Sequence, residues 1–126
     1  MHSNTESGKH ALPLHCKGPV GHWWYQRLTA VALVPLSIWL LFMLHHAFNA
    51  PYADTLAWLK SPLNAIAIGA WSVLVMYHAA LGIQVVIEDY VSTVVRRQWL
   101  IRLTHLTFLI LGIASLAALI FITTAR

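Results

Sequence analysis

Of the eight histidines in this 126-residue chain, one stands where an imidazole is expensive to place. His78 lies deep inside a stretch of 27 residues, 61–87, that contains no Asp, Glu, Lys or Arg. In such surroundings a polar ring needs a hydrogen-bond partner or a metal. At about 100° and about 1.5 Å per helical residue, Gly82 falls about 40° from His78, and Asp89 about 20° from it and roughly 16 Å along the axis. One stripe of a helix then carries a deep imidazole, a small residue one turn on and a carboxylate at the rim. Ala79 and Gly82 leave a broad planar group room to approach the backbone. With one ring nitrogen held by a hydrogen bond, the other is suited to axial ligation of haem iron. Alternatively, His78 hydrogen-bonds a neighbouring helix and holds nothing. The stripe by itself leaves both open.

Glu88, Asp89 and Tyr90 follow at the end of the same stretch. A phenol beside a carboxylate at a membrane mouth can orient a quinone head group and relay protons to its carbonyl oxygens. The same three residues also suit an interfacial helix end, with Tyr90 as an aromatic anchor and the acids solvated or paired with Arg96 or Arg97. Arg27 offers a guanidinium to lipid phosphate, to Asp89 or to the carboxylate of a bound cofactor. The other histidines have plainer explanations. His2, His10 and His15 lie in a polar leader, His22 stands at an interface, and His45 and His46 sit near the far end of the first apolar stretch. His105, about a turn into the third, reaches either the interface or a neighbouring helix.

The elements that position these groups follow from where charge is missing. The chain is 59% apolar and only 10% charged, with mean hydropathy +0.67. Soluble domains run about 25% charged, and twelve acids and bases cannot clothe the surface of a soluble protein this size. That composition excludes a free-standing hydrolase or nucleotide-binding domain. Positions 28–53, 61–87 and 103–125 are uncharged runs of 26, 27 and 23 residues, and about 20 helical residues cross the hydrocarbon core. An all-α fold of three transmembrane helices is expected, roughly 27–48, 63–88 and 100–122, forming a membrane anchor domain over 22–126. Strands are not expected, because alternation is absent and an open sheet leaves its backbone unsatisfied in lipid.

The polar segment 1–21 is broken by Gly8, Pro13, Gly18 and Pro19 and has no signal-peptide core, so the first span is expected to be retained. Pro35 is a candidate kink in that span. Asn49, Pro51 and Asp54 mark a turn after it, and Ser61 and Pro62 read as N-cap and first-turn proline of the second. Trp23, Trp24, Tyr25, Tyr52, Trp58 and Trp99 fall at expected interfaces. Lys9, Lys17, Arg27, Arg96, Arg97 and Arg102 gather on one side, against Lys60 and Arg126 on the other. The positive-inside rule places the N-terminus and the second connection in the cytoplasm, or in the matrix of a mitochondrion. The net charge of +4 reflects that topology and does not indicate nucleic-acid binding. Cys16 is the single cysteine, which excludes an intrachain disulfide and a thiolate metal site.

Two segments go beyond generic membrane pattern. His22-Trp23-Trp24-Tyr25-Gln26-Arg27-Leu28-Thr29-Ala30 resembles the HW…QR.TA signature of the small membrane anchor subunit of succinate dehydrogenase, respiratory complex II. The run His78–Val91, HAALGIQVVIEDYV, resembles that family's second-helix motif of histidine, glycine four residues on, and Asp-Tyr at the end. Three spans, the leader and the length extend the likeness over nearly the whole chain. The resemblance implies a bundle formed with a second, cytochrome b-type anchor, which holds a flavoprotein and an iron–sulfur subunit to the membrane and shares haem b and a ubiquinone site. It implies no active site for succinate in this chain. Carried over by residue, His78 is the haem axial ligand, Tyr90 the hydrogen-bond partner of the quinone, Asp89 its neighbouring acid, and Arg27 the arginine near the haem propionates and quinone pocket. For Glu88 it implies no role.

No cysteine array or dinucleotide fingerprint is present, so the dehydrogenase chemistry and the iron–sulfur centres are expected from other chains. A bacterial inner membrane is expected in preference to a mitochondrial one, since no Arg-rich, acid-poor transit peptide leads the chain. Three rivals remain at this stage: a cofactor-free structural anchor or assembly protein, the anchor of a quinol:fumarate reductase, and a small transporter subunit using His78 and Asp89 as a proton path.

Overall fold

The computed structural model describes residues 19–125. They form α1 (Pro19–Asn49), α2 (Tyr52–Lys60), α3 (Pro62–Tyr90) and α4 (Val94–Thr124), with no strand among the described residues. Three of these, α1, α3 and α4, are long and apolar enough to cross a membrane, as the uncharged runs predict. Most of the segment expected over 1–21, with Cys16, Lys9 and Lys17, lies outside the described residues; from Pro19 onward the chain is already α1.

The helices overrun the expected spans at both ends, for a physical reason. Helices of 31, 29 and 31 residues reach about 44–46 Å at about 1.5 Å per residue, against about 30 Å of hydrocarbon. A gap in charge marks the hydrocarbon, whereas the helix continues through the headgroup layer carrying its charges and aromatics. Arg27 therefore sits within α1, and Arg96, Arg97 and Arg102 within α4, which a connection of only three residues joins to α3.

The first connection differs from expectation. Asn49 ends α1, its side-chain amide donating to the His45 carbonyl at 2.7 Å. Two residues follow, Ala50 and then Pro51 at the N-cap of a nine-residue helix, α2, with Asp54 in its first turn, where a carboxylate complements the helix dipole. The expected turn is thus a short helix that packs against α1, α3 and α4. Trp58 of α2 stacks on Trp39 of α1 with centroids 5.5 Å apart. Ser61 and Pro62 do occupy the N-cap and first-turn positions of α3, although the Ser61 side chain makes no capping bond. Lys60 donates to the Ala125 carbonyl, which places α2 and the C-terminal end of α4 at the same end of the molecule.

α3 is the central element. α1 and α4 each pack against it and not against each other. Towards α4 it presents small residues: a Cβ on Gly69 would meet the Leu116 and Leu119 side chains at 3.5 Å, and Ala80 is buried. Lipid is as apolar as leucine, so close backbone approach over small residues, not water exclusion, holds such a pair together. Towards α1, α3 presents polar groups. The Trp71 indole Nε1 donates to Ser37 Oγ at 3.0 Å, and His78 lies one turn-pair further along the same face. Because Gly69 and His78 are nine residues apart, they point about 180° from one another. The outer faces of α1 and α4 are rows of exposed Leu, Ile, Val and Phe, as a membrane protein requires.

Candidate functional site

The site begins where α1 crosses the His78 face of α3. Thr29 Oγ1 lies 2.9 Å from His78 Nδ1. Thr29 is buried, at 7% exposure, and its hydroxyl is also 2.8 Å from the Tyr25 carbonyl and 3.1 Å from that of Gln26. On the other side of the ring, Gln26 Nε2 approaches His78 Nε2 at 3.5 Å. One turn along α3, Gly82 faces the same amide: a Cβ there would stand 3.6 Å from Gln26 Nε2. The predicted stripe is therefore real for His78 and Gly82, and it faces α1.

Around these groups runs a groove of about 470 Å³ lined by His22, Trp23, Gln26, Arg27, Ala30, His78 and Val85. Two of its polar atoms, His22 Nε2 and Gln26 Oε1, are buried with no hydrogen-bond partner among the described residues, an expensive condition in a low-dielectric site. Arg27 lies with its guanidinium 4.3 Å from the Trp23 ring centroid, a cation–π geometry. It is exposed, so its charge is available at the mouth of the groove. An imidazole of the kind that can ligate iron, a guanidinium of the kind that can bind carboxylates and two unsatisfied polar atoms on one apolar wall are a donor set whose chemistry is compatible with a haem.

Structure brings Arg27 and His78 together but not the other two candidates. Asp89 and Tyr90 stand in the last turn of α3, both exposed, Tyr90 at 85%. Eleven and twelve residues separate them from His78, roughly 16–18 Å along the helix. They lie at the end of the bundle that also carries Arg27 and the basic first turns of α4.

A second polar chain lies on the α4 side. His105 Nε2–H donates to Gln84 Oε1 at 2.8 Å, and Gln84 Nε2 donates to Glu88 Oε1 at 2.7 Å. Glu88, left without a role by the sequence, is thus the outer end of a hydrogen-bonded row, and His105 bonds a neighbouring helix. His105 also borders an apolar groove with Tyr77, Phe108 and Leu109.

Thr29, Gln26 and Gln84 are neighbours of the candidate residues that charge and histidine counting passes over. Each is an uncharged polar residue inside or beside an apolar run, and that was the available signal: in lipid every such group must find a partner.

The family described as succinate dehydrogenase/fumarate reductase transmembrane subunit matches residues 1–122. Among similar proteins, the succinate dehydrogenase hydrophobic membrane anchor subunit of Rickettsia bellii is 40% identical over 100 residues, 79% of each chain. That of Rickettsia conorii is 36% identical over 101 residues, 79% of this chain and 80% of the relative. The succinate dehydrogenase membrane anchor subunit of Reclinomonas americana is 34% identical over 73 residues, 56% of this chain and 61% of the relative. No solved structure matches the chain. A family match spanning all three apolar helices, relatives aligned over most of their length, and an architecture made of little besides those helices agree: the chain belongs to the succinate dehydrogenase/fumarate reductase transmembrane subunit family, as a multi-pass membrane anchor.

Proposed function

We propose that this anchor holds haem b jointly with a second, cytochrome b-type anchor and contributes to the site where ubiquinone is reduced with electrons from succinate. The observation that carries the proposal is the groove in which His78, Arg27 and the buried, unpartnered His22 and Gln26 atoms converge. His78 would be the axial ligand from this chain, and Arg27 would bind the propionate carboxylates. When bound, haem supplies a one-electron redox centre within the membrane.

At the quinone, the work of this chain is to bind and to move protons. The Tyr90 hydroxyl donates a hydrogen bond to a quinone carbonyl oxygen, and Asp89 exchanges protons with water at the same end. Each quinone takes up two electrons and two protons to become quinol. The electrons come from a flavoprotein through an iron–sulfur subunit, which must dock where Asp89, Tyr90 and Arg27 lie. Arg27, Arg96, Arg97 and Arg102 belong to that end of the bundle and Lys60 to the other, so the positive-inside rule supports assigning that end to the cytoplasmic side, and the membrane we assign is a bacterial inner membrane.

The test is an absorption spectrum of the purified complex. A low-spin b-type band is expected, and it is lost in His78→Ala. Its survival there would remove His78 from the ligand set. For the quinone site, Tyr90→Phe is expected to lower quinone reduction while succinate oxidation by an artificial soluble acceptor continues. Equal loss of both activities points instead to failed assembly. The bond between Thr29 and His78 also favours a second reading, a cofactor-free anchor in which His78 only bridges α1 and α3; absence of any b-type band from the intact complex would establish it.

A further inference from the structure

The contacts around His78 determine which of its nitrogens carries the proton. We propose that Thr29 is a positioning residue that holds His78 as the Nδ1–H tautomer and leaves Nε2 bare, on the side of Gln26, as the nitrogen able to bind a metal. The inference rests on the haem reading above only for its functional meaning; the tautomer itself does not depend on a bound group.

A hydroxyl has one proton and two lone pairs. Thr29 Oγ1 has three neighbours: the Tyr25 carbonyl at 2.8 Å, the Gln26 carbonyl at 3.1 Å and His78 Nδ1 at 2.9 Å. Carbonyl oxygens only accept. If the hydroxyl gave its proton to Nδ1, two oxygen–oxygen contacts of 2.8 and 3.1 Å would face each other lone pair to lone pair. If instead the hydroxyl donates to the Tyr25 carbonyl, its own lone pair accepts from Nδ1–H, so both of the shorter contacts contain a hydrogen and only the longer one, to the Gln26 carbonyl, is left to share the hydroxyl proton. A neutral imidazole protonated at Nδ1 is unprotonated at Nε2.

The far side of the ring agrees. The Gln26 amide nitrogen, which only donates, stands 3.5 Å from Nε2, the arrangement for a bare acceptor. Turning the amide over would bring Gln26 Oε1 towards the ring and favour Nε2–H, but this gains one long contact and loses a short hydrogen bond at Thr29. The backbone adds rigidity: Thr29 is bonded to carbonyls of its own helix three and four residues back, so its acceptor lone pair has a fixed direction. Hydrogen-bonding of the non-ligating nitrogen is the usual means of setting a histidine ligand's tautomer and raising its basicity.

The test needs two readouts. First, nitrogen NMR on the full chain labelled at histidine, in lipid nanodiscs without haem, identifies the protonated nitrogen of His78, its signal assigned by its loss in His78→Ala. The expected result is Nδ1–H in the native chain and in Thr29→Ser, with the preference lost in Thr29→Val. Second, in the purified complex, Thr29→Val is expected to weaken haem retention about tenfold and to raise the midpoint potential of the haem, because a less basic imidazole stabilises ferric iron less. Thr29→Ser restores both. An Nε2–H ring in the native chain overturns the proposal, whatever the variants do. So does a Thr29→Val complex indistinguishable from native in haem retention and potential. A b-type band that survives His78→Ala overturns the haem reading instead, and the tautomer measurement still decides the part played by Thr29.

Discussion

Enlarging Gly82 in steps tests the packing of the site against its proposed ligand. An added Cβ would stand 3.6 Å from Gln26 Nε2, an ordinary contact, with no other side chain near it. Gly82→Ala is therefore expected to bind haem as the native chain does, and to gain up to about 1 kcal/mol of helix stability from the lost glycine entropy. Gly82→Leu is different. Its next carbon reaches about 1.5 Å beyond Cβ, and helical rotamers restrict where it can go, so it must displace the Gln26 amide or push α1 away from α3. Overpacking of this kind costs about 1–3 kcal/mol, which corresponds to roughly 5- to 150-fold weaker haem retention if the strain falls on the groove. The assay is haem per complex, from the b-type absorbance, followed through serial washing in detergent. Full retention in Gly82→Leu would show that the α1–α3 approach does not shape the haem site. Loss already in Gly82→Ala would show that the glycine meets the ligand itself and not Gln26.

Three further outcomes follow from the same geometry. In a double-mutant cycle of Ser37→Ala and Trp71→Phe, the 3.0 Å bond should appear as a coupling of about 0.6 kcal/mol, and at most about 1.7 kcal/mol, in unfolding of the chain in bicelles; zero coupling would mean the bond is not made in lipid. Gly69→Ala should be tolerated, whereas Gly69→Leu should drive Leu116 and Leu119 apart and lower chain stability by about 1–3 kcal/mol without altering a haem spectrum. His105→Phe should leave the b-type band intact, since His105 is engaged by Gln84 on the α4 side; loss of the band in an otherwise assembled complex would transfer the ligand role to His105.

Much of the fold could be read from the spacing of charge, because the bilayer imposes a strong constraint on composition. Three uncharged runs correspond to α1, α3 and α4, and Ser61–Pro62 marks the start of α3. What the gaps could not reveal was where helix gives way to joint. Arg27 is expected at the first residue of its span, and Arg96 and Arg97 in the connection before the third, yet all three lie inside helices, since a charge at the headgroups is no obstacle to an α-helical backbone. The α2 helix was hidden for another reason. Its Pro51 and Asp54 are as suited to a helix start as to a turn, and its neighbours Trp39 and Trp58 come together only in three dimensions. For the site, helical arithmetic places His78 and Gly82 on one face, but no local pattern links His78 to Thr29, 49 positions away.

Both faces of α3 matter to what the anchor can do. Its Gly69 side holds α4 through small residues, and its His78 side holds α1 through the Trp71–Ser37 and His78–Thr29 contacts. In lipid, burial of apolar surface gives little net attraction between helices, so these polar contacts act beside close packing in the α1–α3 association. The His78–Thr29 bond then has two consequences that cannot be separated by removing the imidazole: His78→Ala removes a proposed iron ligand and a helix–helix bond together. Changing Thr29 divides them. Serine keeps the hydroxyl and hence both, whereas valine keeps the shape, breaks the bond and leaves the ligand in place. If Thr29→Val loosens α1 from α3 yet retains haem at its native potential, the hydroxyl serves the fold alone. If the helices stay together and the potential moves, the same hydroxyl tunes the histidine.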